Sequence, residues 1–538
     1  MKKIKKKERI KENIIIREVR FPIKILKENV LFFVLIFVAV LILYGNTFNG
    51  HFLSSDDLPG IVNNPMVKNF TGSMQTYEIE KMFPALIFKL FGMNAVAFHT
   101  FSISMHFINV VLVFVFIMIL FGRTEAIITA LIFMTHPINS EAVSWISAYG
   151  YLVYTFFTLL ILTSYIMWFK TKDSKYLALS ISIFVICMIF YRKPWIALIP
   201  IYIVLIDQLI LEKNINLKKI ATYFWFIVPT LIYMLVWVRD SLATRQQLLT
   251  TVYYNDPATA TPYFYRVLYT IYMTAKLIVF PSALTIYHEG EKVRSIAEFT
   301  ALSGTVTALV VMLVIFLFKK PTTFKKYIGT LIILIYSTMA LSFYPTVVVW
   351  SMAERYLYLA SMFFGLIIAL LYTKYGGKVI GKYIMITILV LYSIKTVWRT
   401  NDWKSSKNLW IATQKVSPYS YRVYNNLGDI YAGEGNYPKA VENFQIALQI
   451  SPKFADAVHN LGYTYYQMGN LEQAKMYLQK SYEINPLMYQ ALHKLGVIAY
   501  QQKDLNLARQ YFVKTLEVEP GFEPAAKAII FIDSLKTK

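Results

Sequence analysis

Two adjacent carboxylates, Asp56 and Asp57, stand in "FLSSDDLPGIVNNP", a few residues past a long apolar run. A carboxylate at a bilayer surface can serve as general base toward an acceptor hydroxyl. Further along, His136 with Glu141, Arg192 with Lys193, His288 with Glu289, and Glu354 with Arg355 sit beside other apolar runs. Cations next to such a base can hold a departing phosphate. The set suits transfer of a sugar from a lipid phosphate to a hydroxyl. Each member also has a plainer reading. "DDLPG" could be a simple turn, because Asp and Pro favour turns. His136–Pro137 could end a helix, and Arg192 and Lys193 could snorkel from a helix end. Glu354 and Arg355 could form a local ion pair. His99 and His106 fall seven apart on one helical face and read as interior hydrogen-bonding groups before metal ligands. The sequence contains no metal-ligand spacing, Gly-rich phosphate loop or nucleophile elbow. Two neighbouring carboxylates alone make a weak cation site, so a divalent metal is left open.

The elements that must position these groups are membrane spans. The 538 residues are 57% hydrophobic and only 16% charged, against about a quarter charged in soluble chains. Apolar runs of roughly 20 residues, the length that crosses a bilayer, recur from Val30 to Trp398. The net charge of +23 is a topology signal: eleven Lys and Arg fall in the first 29 residues and most others in short loops. That is the positive-inside pattern, and it argues against nucleic-acid binding. No cleavage pattern follows the first apolar run, which reads as an uncleaved signal anchor. The lone Cys187 excludes an intramolecular disulfide. Expected spans are 30–48, 98–121, 124–138, 149–169, 175–191, 194–211, 220–238, 298–318, 326–345, 355–373 and 379–398, about eleven crossings. Residues 264–281 carry Arg266 and Lys276 and are expected to lie at the outer interface without crossing. The N-terminus is then cytoplasmic, and the acidic pair and the C-terminal region are outside.

From about residue 401 the chain turns polar and repeats. "NNLG", "HNLG" and "HKLG" begin at 425, 459 and 493, and Pro418, Pro452, Pro486 and Pro520 keep the same spacing of 34. This is the tetratricopeptide pattern: small residues let two helices approach and large ones fill the gap. Three units suffice to bury a continuous core, and residues 523–536 are expected to cap it.

The order of motifs resembles the transmembrane and tetratricopeptide-repeat O-mannosyltransferases, and more widely the GT-C glycosyltransferases that use polyprenyl-phosphate sugars. After the "DD" come "FHTFSISMHFINVVLVF", "HPINSEAVSWIS", "FPSALTIYHE", "AERYLYLASM" and "WRTNDWKSSKNLW", and then the repeats. The resemblance implies a dolichyl- or undecaprenyl-phosphate monosaccharide donor, Asp56 as base with Asp57 beside it, and Arg355 at the donor phosphate. Lys193 matches a family Lys usually followed by Glu, whereas Pro194 follows here. Two family arginines are replaced, one by Phe83 before Pro84 and one within Ala148 to Tyr151. Donor-phosphate binding would then rest on Lys193, Arg192 or Arg355.

The expected architecture is all-α. A basic cytoplasmic tail spans 1–29, a GT-C-like membrane domain 30–398, an interfacial linker helix 399–420, and the repeats with their cap 421–538. The expected function is an enzyme that moves a monosaccharide from a polyprenyl-phosphate to a protein or envelope-glycan hydroxyl on the outer face. His136, Glu141, His99, His106 and Glu354 would support the site. The membrane would be bacterial cytoplasmic or endoplasmic-reticulum, and the repeats would hold the acceptor or a partner protein. The alternatives are a non-catalytic membrane scaffold presenting the repeats, and an envelope-polysaccharide polymerase or ligase.

Overall fold

The structure, a computed structural model, describes residues 22–53, 56–75, 79–191, 193–207, 217–238, 263–286, 288, 296–343, 352–376 and 379–536. Among these every regular element is helical. The chain divides into two compact units, the smaller of which takes in residues 410 to 538.

In the larger unit, seven helices among the described residues are long and apolar enough to cross a bilayer: Val30–Asn49, Ala95–Leu120, Ile146–Thr171, Ser174–Tyr191, Thr300–Lys319, Glu354–Tyr375 and Val379–Asp402. They make this a multi-pass membrane protein. An eighth arises if Arg123–Thr135 and Pro137–Ser144, bent by 53°, count as one broken span. The bend falls where proline lacks an N–H to continue the ladder. There His136 turns extended and its Nδ1 caps the next turn by accepting from Ile138 N at 3.3 Å.

Among the described residues the count is lower than the eleven expected from hydropathy, and two of the expected spans, 194–211 and 326–345, run into residues outside those described. Pro194–Ile206 and Ile220–Val236 are short apolar helices. Thr323–Thr338 has 16 residues with Lys325 and Lys326 in its first turn. At 1.5 Å per residue it spans about 24 Å, less than the hydrocarbon core. Tyr263–Val279, which bears Arg266 and Lys276, is not among the crossing helices. Three spans, Ala95–Leu120, Ile146–Thr171 and Glu354–Tyr375, are mostly buried and form the centre of the unit; the others expose most of their surface.

The smaller unit contains paired helices: Tyr421–Gly433 with Tyr437–Ile450, Ala455–Gln467 with Leu471–Ile484, and Tyr489–Gln501 with Leu505–Val518, followed by Glu523–Lys536. Gly428 and Gly496 explain the recurring "LG". A Cβ on either would stand 2.6 or 2.7 Å from the ring of Phe444 or Phe512, so only glycine lets the pair close. Asn436, Asn470 and Asp504 cap the second helices by accepting from Lys439 N, Gln473 N and Leu507 N at 3.4, 3.2 and 2.9 Å. Before each cap the backbone is left-handed, at Gly435, Gly469 and, without glycine's freedom, Lys503.

Candidate functional site

The two adjacent carboxylates have different environments. Asp57 is fully buried. Its Oδ2 accepts from Leu53 N at 2.9 Å, and its Oδ1 accepts from Ser147 N at 2.9 Å and Ser147 Oγ at 2.5 Å. These bonds fasten the first loop to the turn that leads into the Ile146–Thr171 span. Burial pushes the Asp57 carboxyl up to about 6, and the bonds from Ser147 and Leu53 oppose the rise. Asp56 is exposed, and its carboxylate has no hydrogen bond or ion pair among the described residues. Its backbone carbonyl accepts from Gly60 N at 2.8 Å, closing the "DDLPG" turn. Desolvation by the surrounding protein raises its pKa, and the positive charge of Arg355 pulls it back down. Within this turn Asp57 anchors, and Asp56 is left open.

Arg355 sits at the start of the Glu354–Tyr375 span. It bonds Glu141 twice, through Nη1 to Oε1 and through its backbone N to Oε2 at 2.9 Å. Its guanidinium lies 4.9 Å over the Trp145 ring and 5.2 Å over that of Tyr356. Glu354 faces another partner. It accepts from Thr285 N and from Arg399 Nη2 at 3.3 Å, while Arg399 Nη1 reaches Asp402 at 3.0 Å. The local Glu354–Arg355 pair considered from the sequence does not form; each residue pairs across the fold. Trp145 also stacks on Trp403 at 5.8 Å, so the motifs "HPINSEAVSW", "AERYL" and "WRTNDW" meet in one buried cluster. Arg399 is the member that sequence reasoning missed. Its signal was an arginine at the end of an apolar helix with an acid three residues on.

The histidines serve the scaffold. Nδ1 of His136 accepts from Ile138 N, so its proton lies on Nε2, which donates to Ile278 O at 3.0 Å. His106 Nδ1 meets Tyr358 Oη at 2.6 Å. His99 is buried beneath Gly50, where a Cβ would lie 3.0 Å from its Nε2, and neither of its ring nitrogens has a partner among the described residues. Among the described residues, no three His, Cys, Asp or Glu side chains gather as metal ligands. Lys193 is half-buried at the head of the turn Pro194–Leu198; Arg192 lies outside the described residues. Phe83, which stands where an arginine was expected, packs 5.2 Å from Phe101. With Pro84 it closes an apolar gap of about 10 Å³ against Ile146 and Tyr149. The arrangement offers one open carboxylate, one anchored carboxyl beside it, and a guanidinium whose charge Glu141 balances.

Residues 428–469 match the family model described as TPR repeat, and residues 455–486 and 489–522 match that of the tetratricopeptide repeat. Protein O-mannosyl-transferase TMTC3 of Mus musculus is 24% identical over 404 residues, 68% of this chain and 43% of its own. A protein O-mannosyl-transferase of Caenorhabditis elegans is 22% identical over 426 residues, 74% of this chain and 60% of its own. Protein O-mannosyl-transferase tmtc2 of Xenopus laevis is 31% identical over 111 residues, 19% of this chain and 13% of its own. The chain spans about half the length of the curated relatives it matches. It is thus similar to proteins named protein O-mannosyl-transferases.

Proposed function

We propose that the protein is a membrane glycosyltransferase that moves a monosaccharide from a polyprenyl-phosphate to an acceptor hydroxyl, on a protein or an envelope glycan, at the outer face. The open carboxylate of Asp56, set beside the anchored Asp57 and within the field of Arg355, carries the reading. Asp56 takes the proton of the acceptor hydroxyl. The oxygen attacks the anomeric carbon, the bond from that carbon to the phosphate oxygen breaks, and the lipid phosphate leaves with inversion. Asp57 holds the loop so that Asp56 needs no reorganisation. Arg355, Lys193 and Arg192 are the cations assigned to the departing phosphate. In this reading the N-terminus is cytoplasmic and the repeats lie outside, where they hold the acceptor or recruit a partner protein.

The test compares cells carrying wild-type protein, Asp56→Asn or no protein, with exported proteins and envelope glycans profiled by mass spectrometry. A hexose-sized mass shift present only with wild type is expected. Transfer retained by Asp56→Asn at equal expression overturns the role of Asp56. One observation favours a second reading, a non-catalytic scaffold: the Arg355 charge is already met by Glu141. A null phenotype fully rescued by Asp56→Asn, with unchanged glycans, would select it.

A further inference from the structure

Where the first span ends, a cleft of about 630 Å³ opens between residues 48–52 and the start of the Ala95–Leu120 span. Volumes of this order enclose a small ligand or a few side chains. Phe48, Phe52, Met93 and Val96 give the cleft apolar walls, and Val96 is 45% exposed. Phe52 is held edge-on against Phe98 at 5.5 Å. Gly50 lines the cleft as bare backbone, since a Cβ there would stand 2.8 Å from Thr47 O and 3.0 Å from His99 Nε2. Asn49, His51 and Asn94 complete the lining. Asn94 Oδ1 already accepts from Val96 N at 2.9 Å. Its Nδ2, and the side chains of Asn49 and His51, have no hydrogen bond among the described residues.

The cleft adjoins the acidic pair. Its wall residue Phe52 is followed by Leu53, whose N–H donates to Asp57 Oδ2 at 2.9 Å. His51 N donates to Lys404 O at 3.1 Å, which pins the same segment to the end of the last span. Phe52 and Asp56 are four residues apart, and four residues of extended chain reach about 14 Å at most. A polypeptide that presents a hydroxyl to Asp56 therefore has the cleft within about four of its own residues. We infer that this cleft is the acceptor subsite and that its occupant is a polypeptide, which seats an apolar side chain there while its Ser or Thr hydroxyl meets Asp56. An apolar side chain gains by leaving water against these walls, whereas a glycan's hydroxyls would lose their hydrogen bonds there. The side-chain amides of Asn49 and Asn94 match the donors and acceptors of a main chain, which a lipid tail lacks. The inference rests on the transferase reading and sharpens it: the acceptor is protein and not envelope glycan.

The test uses the full chain in detergent micelles, immobilised, and two decapeptide libraries built around one fixed threonine, both ends blocked. In the first, Phe, Leu or Met occupies one position within four residues of the threonine. In the second, only Gly, Ser, Asn and Gln surround it. Retention of the first library about tenfold over the second is expected. Val96→Glu puts a charge on the exposed wall, at a helix N-terminus that favours it. It should melt like wild type and lose the preference, although it carries the same micelle. Met93→Gln, also on the lining, should weaken the preference in the same direction. Geranylgeranyl phosphate and maltoheptaose are added as competitors that stand for a lipid and a glycan, and neither should displace the first library. Equal retention of the two libraries, no retention of either, displacement by either competitor, or an unchanged preference in the folded variants overturns the proposal. Asp56→Asn keeps the two readings apart. It should bind the first library like wild type, so a missing preference counts against the cleft, whereas transfer retained by Asp56→Asn counts against the base.

Discussion

The buried arginines of the membrane unit's central cluster come with acidic partners: Arg355 with Glu141, and Arg399 with Glu354 and Asp402. In the repeat unit the ion pairs Arg509–Asp533 and Lys527–Glu523 sit in water, and half-buried Lys494 has no ion pair among the described residues. The difference follows from the surroundings. A charge between packed spans has no water to fall back on, so an unmatched one is expensive and a matched one sets geometry. A solenoid face is flooded, so one unmatched ammonium is tolerable there, where two tyrosine rings also receive it. The same contrast holds for backbone geometry. The repeats return to the same caps and left-handed turns every 34 residues, whereas the membrane unit's bend at His136–Pro137 occurs once among the described residues.

The sharpest way to break the comparison is to remove one half of a membrane-unit pair. Arg355→Met leaves Glu141 buried and alone and should cost about 3–5 kcal/mol in detergent unfolding. Adding Glu141→Gln should recover much of that loss. Cutting the exposed pair with Arg509→Ala should leave the melting temperature unchanged. If the two single variants behave alike, the contrast between the units is wrong.

Next comes the close helix contact in the repeats. Gly428→Ala forces a methyl into the Phe444 ring and should cost about 1–3 kcal/mol by thermal melting. Gly433→Ala, with nothing within 4 Å, should be neutral or mildly stabilising.

The acidic pair is tested by pH. Folded Asp57, with its carboxyl pushed up to about 6, binds its proton more tightly than the unfolded chain does. Its contribution to stability is therefore full below the ordinary carboxylate range and is lost as pH rises through about 6. Melting curves from pH 4 to 7 should show this slope in wild type, and Asp57→Asn should flatten it. Transfer should respond oppositely. Protonated Asp56 cannot accept a proton, so activity should fall on acidification through a value above the usual carboxylate range, as its raised pKa requires. The smallest expected effect is a gain. Lys503→Gly removes a side chain from a left-handed residue at φ 64° and should add about 1 kcal/mol to repeat stability.

Legibility in the sequence follows the range over which each feature is encoded. The tetratricopeptide units were readable because period, prolines and "LG" pairs are local. The helices of the membrane unit were readable from hydropathy, but fewer of the expected spans are found among the described residues, and an apolar run does not say where a helix will bend, as it does at His136–Pro137. "DD" could be located but not divided. Whether Asp56 or Asp57 is open depends on Ser147, 90 residues away. Arg355 finds Glu141 across 214 residues, and nothing in "AER" shows that its two charges face apart. Arg399 was hidden for the same reason, because its partner Glu354 comes from another span.

The stacked indoles of Trp145 and Trp403 have an optical consequence. Two such rings 5.8 Å apart and 23° from parallel couple their near-ultraviolet transitions, and both are buried. One comes from the bent segment and the other from the end of the last span, so the couplet exists only while those segments are docked. Near-ultraviolet circular dichroism would then report assembly of the cluster without substrate, label or assay, and either Trp145→Phe or Trp403→Phe alone would silence it.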